Sequence, residues 1–123
     1  MLKVTKAGEN RIDIELSGQI DAVNMRVALD EMIDASAEMA HGQMLYTIPE
    51  FAMPTLAAIG VEMTYLPQLF KLLGKFDRCA VLTDAGWLQK AAEIEGALFP
   101  GIEIKSFHLN EKEAAETWLS DET

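Results

Sequence analysis

Residues 43–73 constrain the fold of this chain more than any other stretch. They begin with a largely apolar run over residues 44–48, which is typical of a strand buried inside a sheet. Pro49 and Pro54 predict a break after this run, and a helix is predicted to begin at about Thr55. A buried strand that passes through a short loop into a helix is the pattern of an α/β protein.

The helix predicted over residues 55–73 has an unusually low charge, since Glu62 and Lys71 are its only charged residues. A helix that packs on one sheet needs only one apolar stripe, whereas the apolar residues here point in nearly every direction. Pro67 is expected to kink the helix or split it in two, because proline removes a backbone donor and clashes with the preceding turn. The second half, residues 68–73, would then be able to move as a separate flap.

Strand and helix patterns alternate along the rest of the chain. Apolar and polar residues alternate over residues 2–16 on both sides of a turn at residues 7–10, which predicts an antiparallel hairpin. Further strands are predicted around residues 79–82 and 102–107. The residues expected to cap the other helices are Asp21, Asp84 and Asn110. The predicted order is ββαβαβαβα, an α/β domain with a mixed five-stranded sheet whose strands are parallel after the N-terminal hairpin and covered by helices.

Length and charge limit the classes of function. A chain of 123 residues builds one hydrophobic core, so a single domain over residues 1–123 is expected. Its 20 acidic and 10 basic residues give a net charge of −10, which repels phosphate backbones and anionic lipid headgroups and argues against a nucleic-acid partner. No uncharged apolar run reaches the roughly 18 residues that cross a bilayer, so stable membrane insertion is not expected.

The one cysteine also bears on the cellular compartment. Cys79 lies between apolar neighbours, where a free thiol behaves as a small apolar side chain. The first six residues lack the apolar core of a signal peptide. Both observations predict a cytoplasmic protein.

Four segments carry a resemblance to a known family. They are a second strand that ends at Gly18, residues 45–51, residues 78–87 with the sequence RCAVLTDAGW, and residues 99–119 with the sequence FPGIEIKSFHLNEKEAAETWL. Together they resemble the SpoIIAA-like family over nearly the whole chain. That family is similar in fold to STAS domains, the anti-sigma-factor antagonists, and more distantly to the lipid-carrying CRAL-TRIO domains. The resemblance implies a STAS-like fold and, because its markers are mostly packing residues, implies little about activity.

One loop differs in sequence from the corresponding loop of the STAS regulators, to which this family is similar in fold. In those proteins an Asp-Ser-Ser-Gly loop places a phosphorylated Ser at the start of the helix that follows the central strand. Here residues 51–56 read Phe-Ala-Met-Pro-Thr-Leu, and only Thr55 offers a hydroxyl near that position. Thr55 is more simply interpreted as the N-cap of the helix, so the phosphorylation switch does not carry over to this chain.

Any polar crevice is expected at one edge of the sheet, because ligands of open α/β sheets gather at the carboxyl ends of the parallel strands. The residues expected at this edge are Glu50, Thr55, Thr83, Asp84, Trp87 and His108. Carboxylates there are able to act as acids and bases, but Asp84 is explained as a helix cap and Glu50 as a solvated loop residue. No catalytic residue, metal site or cofactor is expected, because neither His41 nor His108 has metal-ligand spacing and the chain has no glycine-rich nucleotide loop.

Three interpretations account for the excess of apolar residues over residues 55–73. In the first interpretation the helix is packed between the sheet and a neighbouring helix, as in most compact domains. Alternatively, it forms a self-association surface. In the third interpretation it covers a hydrophobic pocket or makes a shallow membrane contact, either of which is opened by movement at Pro67.

From these patterns we expect a non-enzymatic binding or regulatory module. It is expected to act through the helix over residues 55–73 and the preceding loop, by contact with another protein or in a homodimer. The alternative is a carrier or sensor of a lipid or other hydrophobic small molecule. The residues expected to contact the partner or ligand are Phe51, Met53, Thr55, Met63, Tyr65, Leu66 and Phe70.

Overall fold

Five strands form one sheet in the computed structural model, which describes residues 2–51, 55–98 and 101–120, with the backbone alone at residues 50, 51, 91 and 94–98. The strands are β1 (Leu2–Gly8), β2 (Arg11–Gly18), β3 (Gly42–Phe51), β4 (Phe76–Leu82) and β5 (Glu103–Phe107), and they lie side by side in that order. β1 pairs antiparallel with β2, and the later neighbours pair in parallel. The mixed five-stranded sheet with an N-terminal hairpin is confirmed.

The long predicted helix is two helices. The helices are α1 (Ala22–Ser36), α2 (Leu56–Thr64), α3 (Leu66–Leu73), α4 (Gly86–Leu98) and α5 (Lys112–Ser120), with a 3₁₀ turn at Leu109–Glu111 before α5. Tyr65 ends α2 and begins α3, and Pro67 lies in the first turn of α3. Proline lacks a backbone N–H, and the first turn of a helix has no partner for one. Pro67 therefore starts a new helix, and the predicted split is confirmed at Tyr65.

Two predicted caps, at Asp21 and Thr55, are confirmed. Asp21 Oδ1 accepts a hydrogen bond from Asn24 N at 2.8 Å and starts α1. Thr55 Oγ1 accepts a hydrogen bond from Ala58 N at 3.1 Å and starts α2. Thr55 N also donates to Ile20 O at 3.0 Å, which ties the start of α2 to the loop after β2.

The structure corrects two other predicted caps. His108 N donates to Glu111 Oε1 at 2.7 Å, so the capping box of the last helical segment lies at His108 and Glu111 rather than at Asn110. The reason is the 3₁₀ turn, which begins the helical backbone before the apolar stripe of α5. Asp84 Oδ1 accepts a hydrogen bond from Leu109 N at 3.0 Å, so this carboxylate binds the connection between β5 and α5 where a cap of α4 was expected.

The strand β3 continues through Pro49, where the sequence predicted a break. Its pairing with β4 ends at Thr47, opposite Leu82. Its pairing with β2 resumes at Ser17 and Glu50 after a shift in register. Pro49 thus lies at an irregular part of the strand that has left β4, where the missing N–H is tolerated.

The two faces of the sheet are covered unequally. One face lies under α1 to α4, and its buried strand residues include Ile12, Ile14, Leu16, Met44, Ile48 and Cys79. The other face is covered by α5 alone among the described helices, over Leu45, Ala80, Leu82 and Phe107. The Arg78 guanidinium lies 5.0 Å from the centre of the Trp118 ring, and Arg11 pairs with Glu116, so both arginines hold α5 in place. The broader face under α1 to α4 contains the candidate site.

Candidate functional site

An apolar cavity of about 350 Å³ lies between the sheet and the helices α1 to α4. Its floor is formed by β3, β4 and the β5 side of the sheet, through Met44, Tyr46, Ile48, Cys79, Val81, Ile102 and Ile104. Its walls are formed by the helices, through Met32, Glu62, Leu69, Leu72, Leu73, Leu88 and Ala92. The space is much larger than the voids of a close-packed interior, few of which exceed the size of a water molecule.

The cavity follows from how the strands and helices are built. Residues alternate between the faces of a strand, so Met44, Tyr46 and Ile48 all point to the same side of β3. Above them, α3 is only eight residues long. On the other side α4 packs beside β5 and presents the small Ala92. A two-turn helix and an alanine leave space over the sheet that side chains do not fill.

Three groups give the cavity its polarity. Glu62, from α2, is the only charged side chain among the described residues that line it. Because Glu62 is exposed overall, it lies at the mouth of the cavity. Tyr46 contributes a phenol, and Cys79, which is 7% exposed, contributes a thiol that is in no disulfide. The rest of the described lining is hydrocarbon and thioether, so the cavity suits an apolar body with one polar end.

The structure divides the helix residues that were predicted to bind a ligand or partner. Tyr65 and Leu66 are half-buried at the junction of α2 and α3. Tyr65 Oη donates a hydrogen bond to Asp30 Oδ1 at 2.8 Å. Met63 and Phe70 are instead 60% and 53% exposed. The predicted set therefore contains residues that fix the junction and residues that face solvent.

The bond between Tyr65 and Asp30 ties the start of α3 to α1. It raises the pKa of the Tyr65 phenol above its ordinary value, because the proton is held in the bond and its loss would bring two negative charges together. The proton that makes this tether is therefore present throughout the neutral pH range.

The loop before α2 is described in part. Met53 lies outside the described residues. Glu50 and Phe51 are described by their backbone, at the end of β3, where they lie opposite Ser17 and Gly18 of β2.

Several polar residues meet at the carboxyl ends of β4 and β5. Asp84 Oδ1 lies 3.3 Å from His108 Nδ1, and Gln89 Nε2 lies 3.5 Å from the same ring nitrogen. Gln89 Nε2 also donates to Thr83 O at 2.9 Å. Asp84 and His108 are exposed, and Trp87 is 58% exposed in the first turn of α4. These contacts join the loop after β4 to the loop after β5, and the sequence did not indicate the part played by Gln89.

Residues 2–51, 55–98 and 101–120 contain neither a metal-binding cluster nor a membrane-spanning helix. Within these ranges no three His, Cys, Asp or Glu side chains are grouped so that they could hold a metal ion. In the same part of the chain, no helix combines the length and the apolar character that crossing a bilayer requires.

Comparison with known proteins identifies the family. The sequence model of the SpoIIAA-like family matches residues 11–120. The chain belongs to the SpoIIAA-like family. Its structure is similar to the crystal structure of an uncharacterised DUF3478-family protein from Shewanella loihica PV-4, which is described as having a SpoIIAA-like fold. The TM-score is 0.73 at 18% sequence identity, over 97% of this chain and 92% of that chain, so the likeness establishes the fold alone. Among proteins with curated descriptions, none matches the chain in sequence.

The cavity of this SpoIIAA-like domain uses helix residues that the sequence did not single out. From the predicted long helix, Glu62, Leu69, Leu72 and Leu73 line the cavity. A helical wheel drawn over residues 55–73 as one helix does not identify the residues that face the cavity, because the break at Tyr65 separates α2 from α3. Counted within α3 alone, Leu69, Leu72 and Leu73 follow the i, i+3, i+4 spacing of a single face, which is the signal that could have found them.

Cys79 allows a test of how the cavity is reached, because it is the single cysteine of the chain. We expect N-ethylmaleimide, which is uncharged, to label Cys79 at least about tenfold faster than a sulfonated maleimide, since a charged reagent loses hydration on entering an apolar space. Each rate is measured by mass spectrometry and divided by the rate of the same reagent with free cysteine. In denaturant the two relative rates should become equal. Equal relative rates in the folded protein would contradict access through an apolar cavity.

Proposed function

We propose that this SpoIIAA-like domain is a non-enzymatic binding module that holds a small hydrophobic molecule in the cavity over β3, β4 and β5. One observation carries the proposal, namely a cavity of about 350 Å³ in which the described lining residues are apolar except for Glu62, Tyr46 and Cys79. That volume falls within the roughly 300–1,000 Å³ of ligand pockets. Because a water molecule occupies about 30 Å³ in the liquid, the volume corresponds to a ligand with on the order of ten non-hydrogen atoms.

The expected affinity follows from the hydrocarbon that the cavity removes from water. Each buried methylene group contributes about 0.8 kcal/mol, so about eight of them contribute about 6 kcal/mol. That free energy alone corresponds to a Kd of tens of micromolar, and the cost of immobilising the ligand weakens it towards about a millimolar. Such an affinity suits a carrier or sensor that exchanges its ligand.

The helices α2 and α3 provide the movable wall in this proposal. Leu69, Leu72 and Leu73 of α3 line the cavity, and α3 is a separate two-turn helix. Its first turn is tethered to α1 through Tyr65 and Asp30. Movement of α3 about its fixed start would widen the cavity for uptake and release.

A non-enzymatic role is supported by how the groups at the strand ends are used. Asp84 Oδ1 accepts from Leu109 N, and Gln89 Nε2 donates to Thr83 O, so both side chains hold backbone groups of loops.

The net charge of −10 argues against nucleic acid as a partner. A single cysteine that is in no disulfide supports a cytoplasmic location.

Binding of 1-octanol tests the proposal, because octanol is an uncharged chain of about the expected size. We expect saturable binding with a Kd below about a millimolar, measured by isothermal titration calorimetry. The substitution Ala92→Phe places a ring in the cavity and should weaken binding by at least about tenfold. Ala114→Phe adds the same ring to an exposed position on α5 and serves as the control. The proposal fails if the wild type does not bind octanol, or if both variants bind it as the wild type does.

The outer surface of the same helices favours a second binding role. Leu56 is 87% exposed at the start of α2, and Met63 and Phe70 are exposed further along. Methionine and aromatic side chains are enriched at protein interfaces, whereas a monomer gains nothing by leaving them in water. The second candidate is therefore a homodimer, or a contact with another protein, made through α2 and α3.

Sedimentation equilibrium tests the homodimer. The mass of the wild type is expected to rise from 13.6 kDa towards twice that value as concentration increases. Phe70→Glu should hold the protein at the monomer mass, because burial of an unpaired carboxylate in an interface is unfavourable. Val27→Glu makes the same kind of change at an exposed position on α1 and should leave the association intact. A wild type that stays at 13.6 kDa at millimolar concentration would remove this candidate.

A further inference from the structure

We infer that the cavity takes an amphiphile with a cationic head, such as a primary alkylamine or arylalkylamine. The inference rests on the proposed function, since it names the ligand class of the same cavity. Glu62 is the only charged side chain among the described residues of the lining, and the floor beneath it is made of strand residues that are largely apolar. An alkyl chain would lie on that floor with its ammonium group at Glu62.

The position of Glu62 suits an ammonium head. Glu62 lines the cavity and is nevertheless exposed, so it lies at the boundary between the apolar space and water. Burial of an unpaired charge is costly, which excludes an ammonium group from the hydrocarbon interior. At the mouth the head keeps part of its hydration and gains a carboxylate, while the tail leaves water.

The carboxylate of Glu62 can bind a ligand in addition to its contacts within the protein. An ionised carboxylate has about four lone-pair sites on two oxygens, and a hydrogen bond from an ammonium group uses only one of them. Such charge-assisted hydrogen bonds are roughly twice as strong as neutral ones. The low dielectric of the adjoining apolar space increases the attraction further.

Tyr46 adds a second feature that favours a cation. It lines the same cavity and is half-buried on β3. The face of an aromatic ring attracts a cation within about 6 Å of its centre. The phenol oxygen can also accept a hydrogen bond from an ammonium group.

The same charges exclude anionic amphiphiles. A fatty-acid head entering this mouth would meet Glu62, and it would approach a protein whose net charge is −10. Like charges at contact distance repel, and this repulsion is a means of rejecting a ligand whose tail fits equally well. The cavity is therefore expected to select its ligand by the sign of the head.

Three probes with the same chain length separate these effects: 1-octylamine, which is an ammonium ion at pH 7, 1-octanol and octanoate. Calorimetry on the full chain is expected to show octylammonium binding about tenfold more tightly than octanol, with octanoate weakest. Glu62→Gln should bring octylammonium within about twofold of octanol, because the charge that favours the ammonium head is removed. Glu62→Lys should reverse the order, so that octanoate binds more tightly than octylammonium.

The control is Glu31→Gln, which removes the same charge from an exposed position on α1 outside the cavity lining. It should keep the wild-type order and so exclude an effect of net charge alone. Because Glu62 is exposed on α2, its variants are expected to unfold at temperatures close to that of the wild type, which thermal unfolding checks.

The possible results separate the inference from the proposed function. Octanol binding without a preference for octylammonium, or a preference that persists in Glu62→Gln, would overturn the inference and leave the proposed function standing. If none of the three probes binds the wild type, the proposed function fails and the inference fails with it.

Discussion

The structure depends on shielding one apolar face of the sheet from water, and the helices that pack on this face do not cover it completely. Alternation along β2 to β5 turns apolar side chains to one side of the sheet, where they must be shielded from water. There α1 and α2 pack together and α4 packs on β5, while α3 is only eight residues long. The helices leave about 350 Å³ over the sheet. A ligand that fills this space would add to the stability of the folded state, since it binds that state and not the unfolded chain.

The fold could be predicted where its signals are local. The alternation of Ile12, Ile14 and Leu16 marks a strand, and side chains at Asp21 and Thr55 cap helices within the next turn. Prediction failed where a distant neighbour decides the outcome. Pro49 stays within β3 because that part of the strand has left β4, which no local pattern of residues reveals.

The candidate site could be predicted only as a region. A stretch that extends to both sides of Pro67 and has only two charged residues indicated more apolar surface than one sheet needs, but packing, self-association and a cavity all remained consistent with it. The structure separates the side chains by direction, because Leu69 and Leu72 face inwards whereas Met63 and Phe70 face solvent. Glu62 lines the same cavity as residues of α1, α3 and α4, and this is a property of the folded chain rather than of residues near Glu62.

Xenon binding followed by methyl NMR tests the central claim, which is that the helices leave an apolar space open over one face of the sheet. Xenon is apolar and enters dry cavities large enough to hold it. An open space predicts saturable shifts at the methyl groups of Leu69, Val81 and Leu88, which line the cavity, and little change at Leu45 and Leu119, which are buried between α5 and the other face of the sheet. Shifts of equal size in both sets, or no shift in the first set, would contradict it.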